Sequence, residues 1–170
     1  MTKEYLESSH AAADGYRSYL VERYQGEVYG EALFQAMAAG CNDAGRVGKL
    51  RLLERLERET KEFLRPALVE TGGLPTESAE RIREGQTLGS QLASAPWADL
   101  MQGFQQEIQR FVEEFEAAES LAPAGQKAVL QHVTAHERAL LLFATRELEG
   151  NLENDSLEPV IALFREDSAA

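Results

Sequence analysis

The chain has 170 residues and a formal net charge of −12, from 17 Lys plus Arg against 29 Asp plus Glu. That balance argues against a nucleic-acid-binding surface, which needs a basic patch to displace counterions from phosphates, and against a polybasic membrane anchor. A single cysteine excludes an internal disulfide and a Cys-X-X-Cys or zinc-ribbon motif; no apolar run nears the roughly 18 residues that span a bilayer, and the start, MTKEYLESSH, lacks the apolar region of a secretory signal, so the expected setting is the cytoplasm.

Ala, Glu, Leu, Gln and Arg dominate and runs of β-branched residues are absent, which favours helix throughout. The spacing predicts a first long helix over about 3–38, stopped at Gly40, and a glycine-rich turn from Gly40 to Gly48. A second helix is predicted over about 48–71, ended by Gly72-Gly73-Leu74-Pro75. The segment Gly72–Ala95 is a long connection holding a minor helix over Glu77–Gln91. A third long helix is predicted over about 94–120, with Ser94 as N-cap, and a fourth over about 124–149. A short helix over about 155–165 opens at Asp155-Ser156-Leu157-Glu158, a capping-box-like pattern. The prediction is one all-α domain: four long helices in two antiparallel hairpins, joined by a long crossover, plus a short C-terminal helix.

At about 100° per residue, the apolar stripe of the first helix holds Tyr16, Leu20, Tyr24, Phe34 and Ala38, and Glu27 and Glu31 fall inside it. In the second, Glu57 and Thr60 lie among Leu53, Leu56 and Leu64. Glu107 borders the third stripe. In the fourth, His136 sits among Val133, Leu140 and Phe143, with Glu137 at one margin and Glu147 near the centre. Carboxylates inside an apolar stripe lose solvation and repel one another, so a cation, a hydrogen-bond network or a shared proton must compensate. Folding the first hairpin about residue 44 sets Glu31 opposite Glu57. Folding the second about residue 122 sets Glu107 opposite Glu137, with His136 beside it. The inward polar groups are therefore Glu27, Glu31, Glu57, Glu107, His136 and Glu137, the ligands available if a cation is what compensates.

This plan and pattern, over about Tyr16 to Gly150, resembles the ferritin-like superfamily of rubrerythrins and carboxylate di-iron proteins. That family builds its site from a Glu on each of two helices and a Glu-X-X-His on each of the other two. Glu31, or alternatively Glu27, matches the first-helix Glu. Glu57-Arg58-Glu59-Thr60 stands where a Glu-X-X-His is expected, with Thr60 in place of histidine, and Val133 stands where His136 would need its acid. The resemblance implies one or two divalent ions, iron or another metal, and oxidoreductase or metal-handling chemistry. The alternative is a metal-free bundle whose inward polar groups form a hydrogen-bond network and which acts as a homodimer or through a protein partner. Glu7-Ser8-Ser9-His10 is the one literal Glu-X-X-His, at a helix start. A three-histidine site from His10, His132 and His136 is a further arrangement. Tyr16, Tyr19, Tyr24 and Tyr29 read as boundary packing, and Cys41 as a turn thiol.

Overall fold

A computed structural model describes residues 3–120, 122–123, 125–150 and 156–167, with side chains from 14 to 164 within that set. The described residues form six helices and no strand: α1 (Lys3–Gly40), α2 (Ala44–Glu70), α3 (Ala79–Leu92), α4 (Trp97–Glu119), α5 (Lys127–Leu148) and α6 (Glu158–Asp167). No helix among them is long and apolar enough to cross a membrane.

The ends differ from expectation for local reasons. The first turn is only residues 41–43, because the Asp43 side chain accepts from the Arg46 backbone N–H at 2.9 Å and starts α2 four residues before Gly48. The glycines at 45 and 48 are carried inside the helix. α4 begins at Trp97 rather than at Ser94, with Pro96 in the cap position and no side-chain cap. α5 begins at Lys127, after Gly125 at φ 90°. α3 is capped by Ser78, whose hydroxyl accepts from the Arg81 N–H at 3.3 Å.

Contacts between named residues fix the directions. Lys61 with Glu31, and Arg65 with Tyr24, make α2 antiparallel to α1. Gln105 with Thr145, and Glu116 with Arg138, make α5 antiparallel to α4. Phe34 on Phe104 (5.7 Å between centroids) and Tyr19 on Phe115 (6.4 Å) join α1 to α4, while His136 on Thr60 joins α5 to α2. The crossover helix α3 runs parallel to α1 and packs tightly on it. A Cβ on Gly85 would strike the Tyr29 carbonyl oxygen, and one on Gly89 the Leu33 carbonyl oxygen, so glycine at both positions permits this backbone approach. Gln25 secures the start of the crossover, donating to the Thr76 carbonyl at 2.8 Å and accepting from the Ser78 N–H at 3.0 Å.

The apolar interior falls into two clusters. One holds Leu20, Tyr24, Leu64, Leu68, Leu130 and Val133; the other holds Phe34, Met37, Leu53, Leu56, Leu140 and Phe143. Along α2 and α5 the boundary between them comes at Glu57–Thr60 and at His136, and along α1 it comes just after Val28, beside Glu27. A polar layer thus separates two apolar cores.

Candidate metal centre

Glu27, Glu57 and His136 meet in that layer. They are 4 %, 5 % and 1 % exposed, and one ligating atom from each lies within 4.8 Å of the others. His136 Nε2 is 3.3 Å from Glu57 Oε1, and Nδ1 is 3.5 Å from Glu27 Oε2. The Thr60 hydroxyl sits 2.7 Å from His136 Nδ1. Glu57 reaches the layer by lying against α1 at Gly30, where a Cβ would collide with its carboxylate.

Burial dominates the electrostatics. It pushes the Glu27 carboxyl well above the usual carboxylate range; the imidazole of His136 opposes this, and Glu57 and Glu137 reinforce it. Burial pushes Glu57 up to about 8, partly offset by a hydrogen bond with Glu27 and helped by the charge of Glu31. Both carboxyls are thus held toward their neutral forms, and the hydrogen bond between them raises Glu27 while it lowers Glu57. Even so, Glu27 Oε2 is fully buried with no hydrogen-bond partner, an arrangement that costs free energy unless something binds there.

The other expected ligands are placed differently. Glu137 is partly buried and charge-coupled to Glu57, His136 and Arg23; burial first, then Glu57, raises it to about 7. It neighbours the triad but is not among the three converging ligands. Glu31 is not a member. Its carboxylate takes Lys61 Nζ at 2.5 Å and approaches Arg58 at 3.9 Å. The reason is rotation. Glu57 stands level with Gly30, and the acid on that face of α1 is Glu27, one turn earlier, while Glu31 turns toward Lys61. Glu107 is also displaced: it is exposed and pairs with Arg110 at 3.3 Å. The second hairpin turns about residue 126, judged from its pairs Gln105–Thr145 and Glu116–Arg138, not about 122. Glu107 therefore lies two turns from the level of Glu137.

His132 stacks on Phe63 at 3.8 Å instead of joining His136. The side chains of Glu7 and His10 lie outside the described residues. Glu147 is held at the far end of the fold by Lys49 at 2.5 Å and by the Trp97 indole N–H at 2.7 Å. Tyr24 donates to the Pro75 carbonyl and Tyr16 to Gln126, both away from the triad. Cys41 lies in the first turn, its thiol 3.8 Å from the Asp43 carbonyl. Sequence reasoning missed Lys61, a buried lysine bridging Glu31 and Glu77. Its signal was present: it lies four residues after Glu57, on the same face of α2.

A half-open groove of about 660 Å³ runs between α1 and α4 under the edge of α3, and reaches Glu27, Glu57 and Glu137. Compared with family models, curated proteins and solved structures, the chain matches none.

Proposed function

We propose that the chain is a metal-binding helical protein of ferritin-like plan, in which Glu27, Glu57 and His136 hold one divalent ion. The observation that carries this reading is the buried Glu27 Oε2, which has no hydrogen bond, inside a triad of metal-ligand types. Two carboxylates balance the charge of a divalent ion, which removes the mutual repulsion and the desolvation problem together. Thr60 supports the same reading. With Nδ1–H donated to its hydroxyl, His136 keeps the Nε2 lone pair facing Glu57, the outer-sphere arrangement common for histidine ligands. One imidazole and two carboxylates suit iron, manganese or zinc.

The two antiparallel pairs and the lengthwise crossover α3 support the ferritin-like plan. A single ion is favoured over two because the α5 position that would carry a second acid is Val133, and Glu107 faces solvent. A bound ion would supply Lewis acidity or, as iron or manganese, one-electron chemistry. The protein's share is to hold the donors and to limit water: His136 and Thr60 close the layer at the back, and the carboxylates face the groove.

The test is metal content by mass spectrometry of protein purified without chelator, followed by anaerobic calorimetric titration with Fe(II), Mn(II) and Zn(II). About one ion per chain is expected, with a raised Tm and at least about tenfold weaker binding in Glu57→Gln or His136→Ala. A clean apoprotein whose melting none of the ions moves would overturn the reading. The layer would then be a proton-sharing network in a bundle that acts by association.

A further inference from the structure

We propose that the ion held by Glu27, Glu57 and His136 carries a water molecule on its groove side, and that Glu137 is the positioning residue that accepts a hydrogen bond from this water. The inference rests on the metal reading above and takes it further. It makes the centre an open one, with a position for an exchangeable ligand, where a structural site would be closed by protein donors.

Three protein donors leave a divalent ion short. Zinc takes at least about four ligands, and manganese about six. Among the described residues no fourth histidine, cysteine or acid converges with Glu27, Glu57 and His136. The lining of the groove shows on which side the ion is short. Glu27, Glu57 and Glu137 border the groove, and His136 and Thr60 do not. The imidazole therefore stands behind the ion, and the groove, with its water, stands in front.

Glu137 is the carboxylate on that side with nothing to hold. It follows His136 directly in α5, so the two side chains leave the helix about 100° apart and do not meet at one ion. Its charge still acts on Glu27, and it interacts with Glu57 and His136. No hydrogen bond engages it. Arg23 acts on it from beyond ion-pair distance, with its guanidinium 4.3 Å over the Phe115 ring and 3.3 Å from Glu22.

A partly buried carboxylate without a hydrogen bond has lost solvation and gained nothing in return. Water on the ion restores it. An ion–oxygen distance of about 2.1 Å and an O–H···O⁻ distance of about 2.6 Å set the acceptor about 4–5 Å from the ion. That is the place of a residue beside the ligands, not of a ligand. The ion polarises the water and strengthens its O–H as a donor, and Glu137 fixes the direction in which that O–H points.

The test uses Mn(II)-loaded protein and the oxygen-17 relaxation of water, which reads both the presence of water on the ion and its exchange rate. Exchanging water is expected in the wild type. Glu137→Ala should weaken Mn(II) binding less than Glu57→Gln does, while the water leaves at least about tenfold faster, having lost a hydrogen bond to a charged acceptor. Glu137→Gln, whose amide oxygen still accepts, should fall between, and circular dichroism checks that each variant is folded. Bound Mn(II) without exchanging water, or one exchange rate in the wild type and both variants, would overturn the proposal and leave the metal reading standing. Loss of Mn(II) from Glu137→Ala as complete as from Glu57→Gln would make Glu137 a direct ligand and overturn it as well. A wild type that takes up none of Fe(II), Mn(II) and Zn(II) would remove the metal reading and this inference together.

Discussion

The Glu57 carboxylate occupies the place where a side chain on Gly30 would stand. One glycine on α1 thus decides whether an acid from α2 reaches the polar layer. Gly30→Ala is expected to gain helix propensity of up to about 1 kcal/mol and to displace Glu57. The readout is a split: nearly wild-type chemical denaturation of the apoprotein, with metal affinity reduced at least about tenfold. Unchanged affinity would show that Glu57 does not need this passage.

The apoprotein should lose stability as pH rises from about 5 through about 8. Glu27, Glu57 (about 8) and Glu137 (about 7) all have folded-state pKa values raised above the ordinary carboxylate value. Between the two values the folded state binds more protons than the unfolded, so unfolding free energy falls with pH, by up to about 1.4 kcal/mol per pH unit per group. Glu147 is shifted the other way, with Lys49 and Trp97 favouring its charged form against burial; its stabilisation is lost as pH falls below the ordinary carboxylate range. Denaturant midpoints measured from pH 4 to 9 should peak near the lower middle of that range. A divalent ion should reverse the upper limb, because its binding expels the protons. A flat profile would mean that the carboxyls are not buried as described.

Glu27→Gln should stabilise the apoprotein at pH 8 and change it little at pH 5. The amide removes an acid that burial already holds neutral at low pH and penalises at high pH. Equilibrium urea unfolding at the two pH values checks this, and metal binding should be lost in the same variant. Destabilisation at pH 8 would contradict the assignment.

His136→Ala should destabilise the apoprotein by roughly 1–3 kcal/mol, since the buried Thr60 hydroxyl loses its 2.7 Å partner. His136→Gln, which can still reach Thr60, should recover part of that loss without restoring metal binding. Wild-type melting of the alanine variant would place His136 outside the energetics of the core.

Gly89→Ala should cost roughly 1–3 kcal/mol, because the added methyl meets backbone at Leu33 and the Ala36 side chain, neither of which can swing away. Hydrogen exchange should show faster opening of α3 than of α2. Unaltered exchange would show that α3 approaches α1 less closely than its two glycines indicate.

Helical periodicity made much of this legible. Thr60 and His136 each have apolar residues one turn away on either side, and Glu57 has Leu53 one turn before it, so a buried polar layer could be read from the stripes alone. Glu27 and Glu31 could not be separated that way, since four residues differ by only about 40° around a helix. What separates them is the partner: Lys61 draws Glu31 aside, and Gly30 admits Glu57 beside Glu27. Glu107 is placed by hairpin level, and a pairing centre about four residues later than expected shifts that level by two turns. The groove gave no periodic signal, because it is built partly from glycines, which a pattern of apolar positions passes over. Ser94 shows the same limit at a helix end: a good cap residue was present, but Pro96 two residues later set the start of α4.

The close seating of α3 on α1 has a further consequence. Leu88 and Leu92 of α3 border the groove, but none of the three converging ligands is on α3. The helix that borders the groove is thus separate from the Glu27–Glu57–His136 triad. Changes along one face of a fourteen-residue segment alter the width and chemistry of the opening while Glu27, Glu57 and His136 stay in place. Under selection, substitutions on that face can reshape the groove and leave the buried polar layer as it is.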